Sequence, residues 1–268
     1  MIVQHNMTAL NANRQLGITN TNLARSTEKL SSGYRVNRAA DDAAGLSISE
    51  KMRGQIRGLE QASTNAEDGQ SLIQTAEGAL SEIHSVLQRM RELTVQASND
   101  TNVSADRKAI AKEVRALTSE INRIATQTQF NTMGLLSGGF KNKKLQVGAN
   151  TNQTISITIS SMTAGKLGVS ATVIAKVISS STGKDITKLI TTVNTAITKV
   201  STQRSALGAL QNRLDHTIAN ADNMAENLQS SESKIRDVDM ADEMVSYSAS
   251  SILQQAGQSM AAQANQAT

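Results

Sequence analysis

No proline interrupts the 268 residues of this chain. Toward both ends apolar residues recur at three- and four-residue steps, flanking a middle rich in Ser, Thr and Gly. An interior proline costs a helix about 3 kcal/mol, so its absence leaves long unbroken helices open to the sequence. The outgoing stripe runs Ile48, Met52, Ile56, Leu59, Ala66, Ile73, Ala76, Leu80, Ile83, Leu87, Met90, Ala97, the spacing of one helix face and not of a strand. At about 1.5 Å per residue this predicts a helix of roughly 75 Å. After a break at Asn99–Asp100, the residues Ile110, Val114, Leu117, Ile121 and Ile124 mark a shorter helix. The return stripe, from Ile186, Ile190 and Val193 through Leu207 and Leu214 to Leu228 and Ile235, is as long as the first. The chain can therefore double back and lay two long helices side by side, with apolar stripes left for neighbouring copies to cover.

Composition favours such a body over a sphere. Trp and Cys are absent, with two Phe and two Tyr, so packing must rely on Leu, Ile, Val, Met and Ala. These suit knobs-into-holes helix seams better than thick aromatic cores. The fold class expected is mainly α: a long antiparallel helical coiled-coil rod with a small β-hairpin region. The hairpins are read from Ile155, Ile157 and Ile159, which alternate with polar residues between the turns at Gly138–Gly139, Gly148 and Gly165. Gly54, Gly58, Gly69 and Gly78 interrupt the first stripe at a cost of about 1 kcal/mol each against Ala, which close helix contact would offset.

The two ends keep seven-residue spacing, as coiled-coil positions do. Ile2, Ala9, Leu16, Leu23 and Leu30 form one column and Val3, Leu10, Gly17 and Ala24 the next, while Leu253, Met260 and Ala267 repeat the step near the carboxyl end. Large apolar residues are sparse there, with Ile252, Leu253 and Met260 the bulky ones after Tyr247. Burial would hardly offset the entropy of ordering, so both ends are expected to be disordered in the monomer and to fold when many copies meet. Ile2, Leu10, Leu16, Leu23, Leu30, Ile252, Leu253 and Met260 are the candidate assembly seam.

Charge argues against a nucleic-acid partner. The pI is about 9.4 but the formal charge only +4, with cations mostly interleaved with acids, and no aromatic interleaving or phosphate-cradling loop accompanies the dense run Lys141, Lys143, Lys144. A nucleic-acid-binding coiled coil, the remote alternative, rests on pI alone. No segment approaches the ~20 apolar residues that span a bilayer, and the amino terminus lacks the apolar core of a cleaved secretory signal. If the chain leaves the cell, another machine exports it.

Catalytic chemistry is not indicated. Asp41 and Asp42 precede the first long stripe, where carboxylates complement a helix amino terminus, and Arg35 and Arg38 stand near in sequence. His5, His84 and His216 form no HExxH pair, nothing resembles GxSxG, and no Cys is present for a thiolate site. The expectation is no enzyme, no cofactor, no metal site and no catalytic residue.

Five stretches carry a resemblance. LSSGYRVNRAADDAAGLSISEKMRG (Leu30 to Gly54), QTQFNTMGLL (Gln127 to Leu136), LGALQNRLDHTIAN (Leu207 to Asn220), IRDVDMADEM (Ile235 to Met244) and ILQQAGQSMAAQANQ (Ile252 to Gln266) resemble bacterial flagellin in family order. The resemblance implies a structural subunit of the bacterial flagellar filament, self-assembling into a helical tube for motility. It is a short form, without the outer domains that larger members insert in the middle. The implied domains are 1–40 and 241–268 as the two parts of an inner tube, and 41–240 as a helical rod with the hairpin region at about 130–185. A hook-filament junction protein shares the helical ends and is the alternative within the same machinery.

Partners follow from the resemblance: a homo-oligomeric filament outside the cell, the flagellar export apparatus and an export chaperone, and the filament cap and junction proteins. Flagellins generally continue several residues beyond QANQ and finish on apolar residues, whereas this chain stops at Thr268. A trimmed end would bear on the last turn of the inner-tube helix and on the docking of an export chaperone there. LQRMRELTVQA (Leu87 to Ala97) resembles the helix recognised by the vertebrate innate receptor for flagellin, which carries contact roles over to Arg89, Leu93, Gln96 and, on the next helix, Glu113. Read from the residues, Arg89, Leu93 and Gln96 fall at steps of four and three along a face beside the packing stripe. That face is expected to hold an arginine anchor with an apolar centre and to serve contacts between subunits as well.

Overall fold

The structure is a computed structural model that describes residues 6–180 and 183–266. The chain divides into two compact units, one of Met1–Arg57 with Met224–Thr268 and one of Gly58–Asn223. Helix α1 spans Met7–Ser32, α2 Ala43–Ser98 and α3 Ser104–Gln127. Strands β1 (Gln129–Phe130), β2 (Met133–Gly134), β3 (Lys143–Gln146) and β4 (Thr154–Ile157) follow. Helices α4 (Ala164–Leu167), α5 (Ala171–Ser180), α6 (Gly183–Arg236) and α7 (Met240–Gln266) complete the chain. The mainly α expectation is met, with two small antiparallel hairpins, β1–β2 and β3–β4.

In the second unit the core follows a seven-residue step. On α2 the buried positions include Leu59, Ala66, Ile73, Leu80, Leu87 and Thr94, and one step over Ala62, Ala76, Ile83, Met90 and Ala97. On α6 they are Ile186, Val193, Val200, Leu207, Leu214 and Ala221, beside Leu189, Ala196 and Gln203. A strict repeat of seven keeps one seam turned toward its partner along the whole helix. Val114 and Ile121 of α3 join the same cluster. Asp106 starts α3 by accepting from the Val103 amide at 3.2 Å and placing a carboxylate at the positive helix end.

The middle of the chain closes this core. Ile155, Ile157 and Ile159 turn inward as their alternation predicts, at 7%, 2% and 0% exposure, and Lys143 pairs with Ile157 and Gln146 with Thr154. The hairpin loop folds onto itself, with Gln146 Nε2 donating to the Gly148 and Asn150 carbonyls at 2.7 and 2.8 Å. The β1–β2 turn places Asn131 at φ 46° and Thr132 at φ 63°, the pair of positive φ angles that a type I′ hairpin requires. Helix α5 was not anticipated: it buries Ile174, Ala175 and Ile178 where only hairpins were expected.

The glycines of α2 correct a second expectation. Gly58 lies under the hairpin loop, where an added Cβ would stand 2.8 Å from Ala149 Cβ, and Gly69 lies under Leu145 of β3. Gly54 and Gly78 have nothing within 4 Å. Where these glycines admit a neighbour, it is the hairpin rather than another helix, and Asn65 Nδ2 donates to the Gln146 carbonyl at 3.1 Å in the same contact.

The first unit pairs α1 with α7. Asn6 caps α1 by accepting from the Ala9 amide at 3.1 Å. Gly33 closes it at φ 75°, donating its amide to the Lys29 carbonyl. Asp42 Oδ1 accepts from the Gly45 amide at 2.8 Å at the start of α2. Residues 6–32 and 240–266 are thus largely helical in the single chain, not disordered as expected, although α7 buries no residue and α1 buries only Ser26. Capping and side-chain hydrogen bonds supply order that the thin apolar content does not.

Candidate assembly surfaces

The α1–α7 seam mixes many small side chains with a few large ones. Half-buried Ala9, Ala12, Leu16, Thr19, Leu23 and Leu30 on α1 keep the 3–4 step, and so do Tyr247, Gln254, Gly257, Ala261 and Ala264 on α7. A Cβ on Gly257 would stand 3.3 Å from Leu16 Cδ1. Polar contacts run beside these: Asn6 Nδ2 donates to the Ala264 carbonyl at 2.8 Å, Gln254 Nε2 to Asn20 Oδ1 at 2.8 Å, and Lys29 pairs with Glu243 at 3.6 Å.

The candidate seam residues consequently separate into two sets. Leu16, Leu23 and Leu30 are half-buried within the chain's own helix pair. Leu10, Ile252, Leu253 and Met260 are 58%, 66%, 60% and 61% exposed, on faces that the pairing leaves open. Ile2 lies outside the described residues, as does the Thr268 end on which the expectation about the last turn depends. Sequence reasoning missed six further exposed apolar side chains described in this unit, Met7, Ile18, Met224, Met240, Met244 and Val245, and placed exposed Ile48 on the packing stripe.

Below the seam, Arg236 gathers the unit. Its guanidinium lies 4.4 Å from the centre of the Tyr34 ring and 3.3 and 3.9 Å from carboxylate oxygens of Glu50 and Glu232. Its carbonyl accepts from the Arg35 amide at 2.6 Å, and Val238 donates to the Gly33 carbonyl at 3.0 Å. Asp41 accepts from the Arg38 and Asn37 amides at 2.9 and 3.2 Å, and the Arg38 amide above all holds its carboxyl below the usual carboxylate range. Both aspartates therefore serve backbone capping. His84 is half-buried and His216 exposed, on different helices, and His5 lies outside the described residues. Among the described residues no three His, Cys, Asp or Glu side chains gather as a metal site, and no helix is long and apolar enough to cross a membrane.

The Arg89 face lies in the second unit. Arg89 Nε and Nη2 donate to Glu113 Oε1 at 3.1 and 2.9 Å, and Nη1 to Glu92 Oε2 at 3.0 Å. Glu113 first, then Glu92, raises the guanidinium's affinity for its proton. Arg89, Gln96 and Glu113 are exposed, but Leu93 is 2% exposed. Three residues on from Met90 and four before Ala97, it belongs to the core stripe. The expected apolar centre of this face is thus absent, and Val95, 50% exposed, is the apolar side chain that this turn presents.

Paired helical ends with outward apolar faces, attached to a helical body with small hairpins, define a helical self-assembly protein, and comparison with known proteins identifies its family. The bacterial flagellin N-terminal helical region matches residues 3–141 and the C-terminal helical region residues 190–268. Flagellin of Halalkalibacterium halodurans is 52% identical over 272 residues, covering 99% of this chain and 96% of that protein. Flagellin of Bacillus subtilis is 48% identical, covering 99% and 97%. The crystal structure of Bacillus cereus flagellin is similar at a TM-score of 0.51 and 30% identity, covering 62% of this chain and 94% of that one. The chain belongs to the bacterial flagellin family. It is a structural subunit of the extracellular flagellar filament, a homopolymer.

Proposed function

We propose that residues 1–40 and 241–268 line the filament as an inner tube and that residues 41–240, with the hairpin region at about 130–185, form the layer around it. The observation that carries this reading is the outward apolar set of α1 and α7. Fully burying a side chain such as Ile252 or Leu253 is worth about 1.5–3 kcal/mol, and neighbouring copies supply the cover the single chain lacks. Faces that meet different faces on the next copy make a contact that need not close, and its repetition yields an open helical fibre. Deleting residues 1–30 and everything after Met244 is expected to leave a helical monomer that no longer sediments as filament. Pelleting of the trimmed protein at the full-length yield would refute the inner-tube assignment.

The same surface supports the expected partners. Before assembly, exposed Val245, Ile252, Leu253 and Met260 need a cover, which an export chaperone provides as it delivers the chain to the flagellar export apparatus without a cleaved signal peptide. Cap and junction proteins meet the filament's ends. The role is mechanical, with no catalytic step.

Arg89, Gln96 and Glu113 support a face shared between neighbouring subunits and the vertebrate innate flagellin receptor, with Leu93 acting beneath it by holding the helix in place. Contacts buried in the filament are open in released monomers, so one surface serves both. Arg89→Asp, which sets a carboxylate against Glu113, is expected to reduce receptor signalling by monomer and filament yield together. A folded variant that keeps both activities would overturn the shared face.

A further inference from the structure

The modest net charge of the chain conceals a strong segregation. Between Ile121 and Leu214 the sequence holds eleven Lys and Arg against one acid, Asp185, whereas the remainder holds sixteen against twenty-two. The interleaving of opposite charges seen elsewhere stops in this segment. Its lysines are also not spread evenly, because two of them converge on a built groove.

That groove, of about 550 Å³, runs between α6 and the stretch that leads from β4 into α4. Lys166 and Lys199 stand on its walls with the hydroxyls of Ser161, Thr195, Thr198 and Thr202, and among the described residues no carboxylate or aromatic ring lines it. Lys199 Nζ donates to the Lys166 carbonyl at 3.3 Å, which holds an ammonium at the groove wall. Buried Met162 and Leu167 supply an apolar floor. A second hollow of about 500 Å³ shares Thr195 and Lys199 and continues along α6 to Lys188.

The threonines have a defined polarity. The hydroxyls of Thr195, Thr198 and Thr202 donate to the carbonyls one turn back, those of Thr191, Asn194 and Thr198, at 2.9, 3.0 and 2.9 Å. Each hydroxyl proton is thereby used, and the oxygens remain as acceptors. The groove thus combines ammonium groups for anions, acceptors for a ligand's hydroxyl protons and a shallow apolar floor.

We propose that this groove binds an acidic polysaccharide. Carboxylate or sulfate groups face Lys166 and Lys199, and sugar hydroxyls donate to Thr195, Thr198 and Thr202. A nucleic acid fits less well: its bases seek aromatic platforms, and the groove has none. This activity is separate from filament formation and does not depend on the inner-tube assignment.

The test is binding of fluorescent heparin to full-length monomer, with neutral dextran and single-stranded poly-dT as comparators and circular dichroism to confirm folding of each variant. Heparin is expected to bind in a salt-sensitive manner. Lys166→Gln with Lys199→Gln should weaken it about tenfold, through loss of two close charges. Thr195→Val with Thr198→Val should weaken it several-fold, about three- to fivefold, with all charge retained. Lys141→Gln with Lys143→Gln and Lys144→Gln, which removes more charge from the hairpin, should change binding by less than about twofold. Equal loss in the hairpin variant, no loss in the threonine variant, or binding of poly-dT or dextran as tight as heparin would each overturn the proposal.

Discussion

The two units pair helices with the same seven-residue step and place their apolar side chains in opposite ways. In Gly58–Asn223 nearly every large apolar residue on the step is buried, many at 0% exposure, from Ile73 to Leu214. Among the described residues, the unit of Met1–Arg57 and Met224–Thr268 has Val36 as its buried hydrophobic residue and carries eleven of the fourteen exposed large hydrophobics. Periodicity alone therefore does not tell a core from a binding face. What separates them is how much of the seam large residues fill: Ile, Leu and Val dominate along α6, whereas Leu16, Leu23, Leu30 and Tyr247 alternate with Ala, Gly, Thr and Gln where α1 meets α7. A seam thinned by small residues brings the two helices together while Leu10, Ile252, Leu253 and Met260 point away, which suits a unit whose burial is completed by other copies.

Matched truncations test this contrast most severely. Leu87→Ala, at a fully buried position, is expected to cost about 2–5 kcal/mol of stability by leaving a cavity. Leu253→Ala, at 60% exposure, should lie within about 0.5 kcal/mol of the parent as a monomer, yet slow filament growth. Denaturant melts of monomer and turbidity of polymerising protein read the two effects separately. A Leu253→Ala monomer destabilised as much as Leu87→Ala would mean that α7 has a hidden core and that the contrast is false.

A smaller effect sharpens the comparison from the polar side. Arg236, pressed on Tyr34 and paired with Glu50 and Glu232, holds the first unit where apolar packing is thin. Arg236→Ala is expected to cost about 1–3 kcal/mol, from lost stacking on Tyr34 and from the loss of a cation shared by Glu50 and Glu232. Amide exchange should localise the loss to α1 and α7 and leave the α2–α6 core protected. Uniform acceleration across both units would show that they open together.

Much of this was legible in the residues, and the misses have physical causes. The stripes of α2, α3 and α6, the break after Ser98 and the inward turn of Ile155 and Ile157 follow from periodicities of 3.6 and 2. Helix α5 was missed because ATVIAKVISS mixes β-branched and apolar residues that suit a buried strand as well as a helix, and only its placement against α3 decides. Leu93 was misplaced because a helix position between two faces can join either, and its three-residue step from Met90 puts it in the core. The glycines at 58 and 69 need the hairpin's position to explain them, contacts with Ala149 and Leu145, 91 and 76 residues further along the chain, that no local pattern encodes. The division of the terminal columns into an inner seam and an outer face likewise depends on which helix pairs with which.

The smallest predicted effect lies in the well-packed unit and runs toward greater stability. Thr132 occupies φ 63° in the β1–β2 turn, where a branched Cβ crowds the backbone and an L-residue other than Gly or Asn is strained by roughly 1–2 kcal/mol. Asn131, beside it at φ 46°, tolerates the same region better. Thr132→Gly removes the strain but gives the unfolded chain more freedom, which returns part of the gain. The net expectation is stabilisation of about 0.5–1 kcal/mol, seen as a higher denaturation midpoint with an unchanged slope. Because β1 and β2 lie in the unit that already has a core, filament yield should stay at the parent level. If Thr132→Gly instead changes assembly while leaving monomer stability alone, the hairpin takes part in contacts between copies, and the assignment of assembly to the first unit's exposed faces would need to extend to the second.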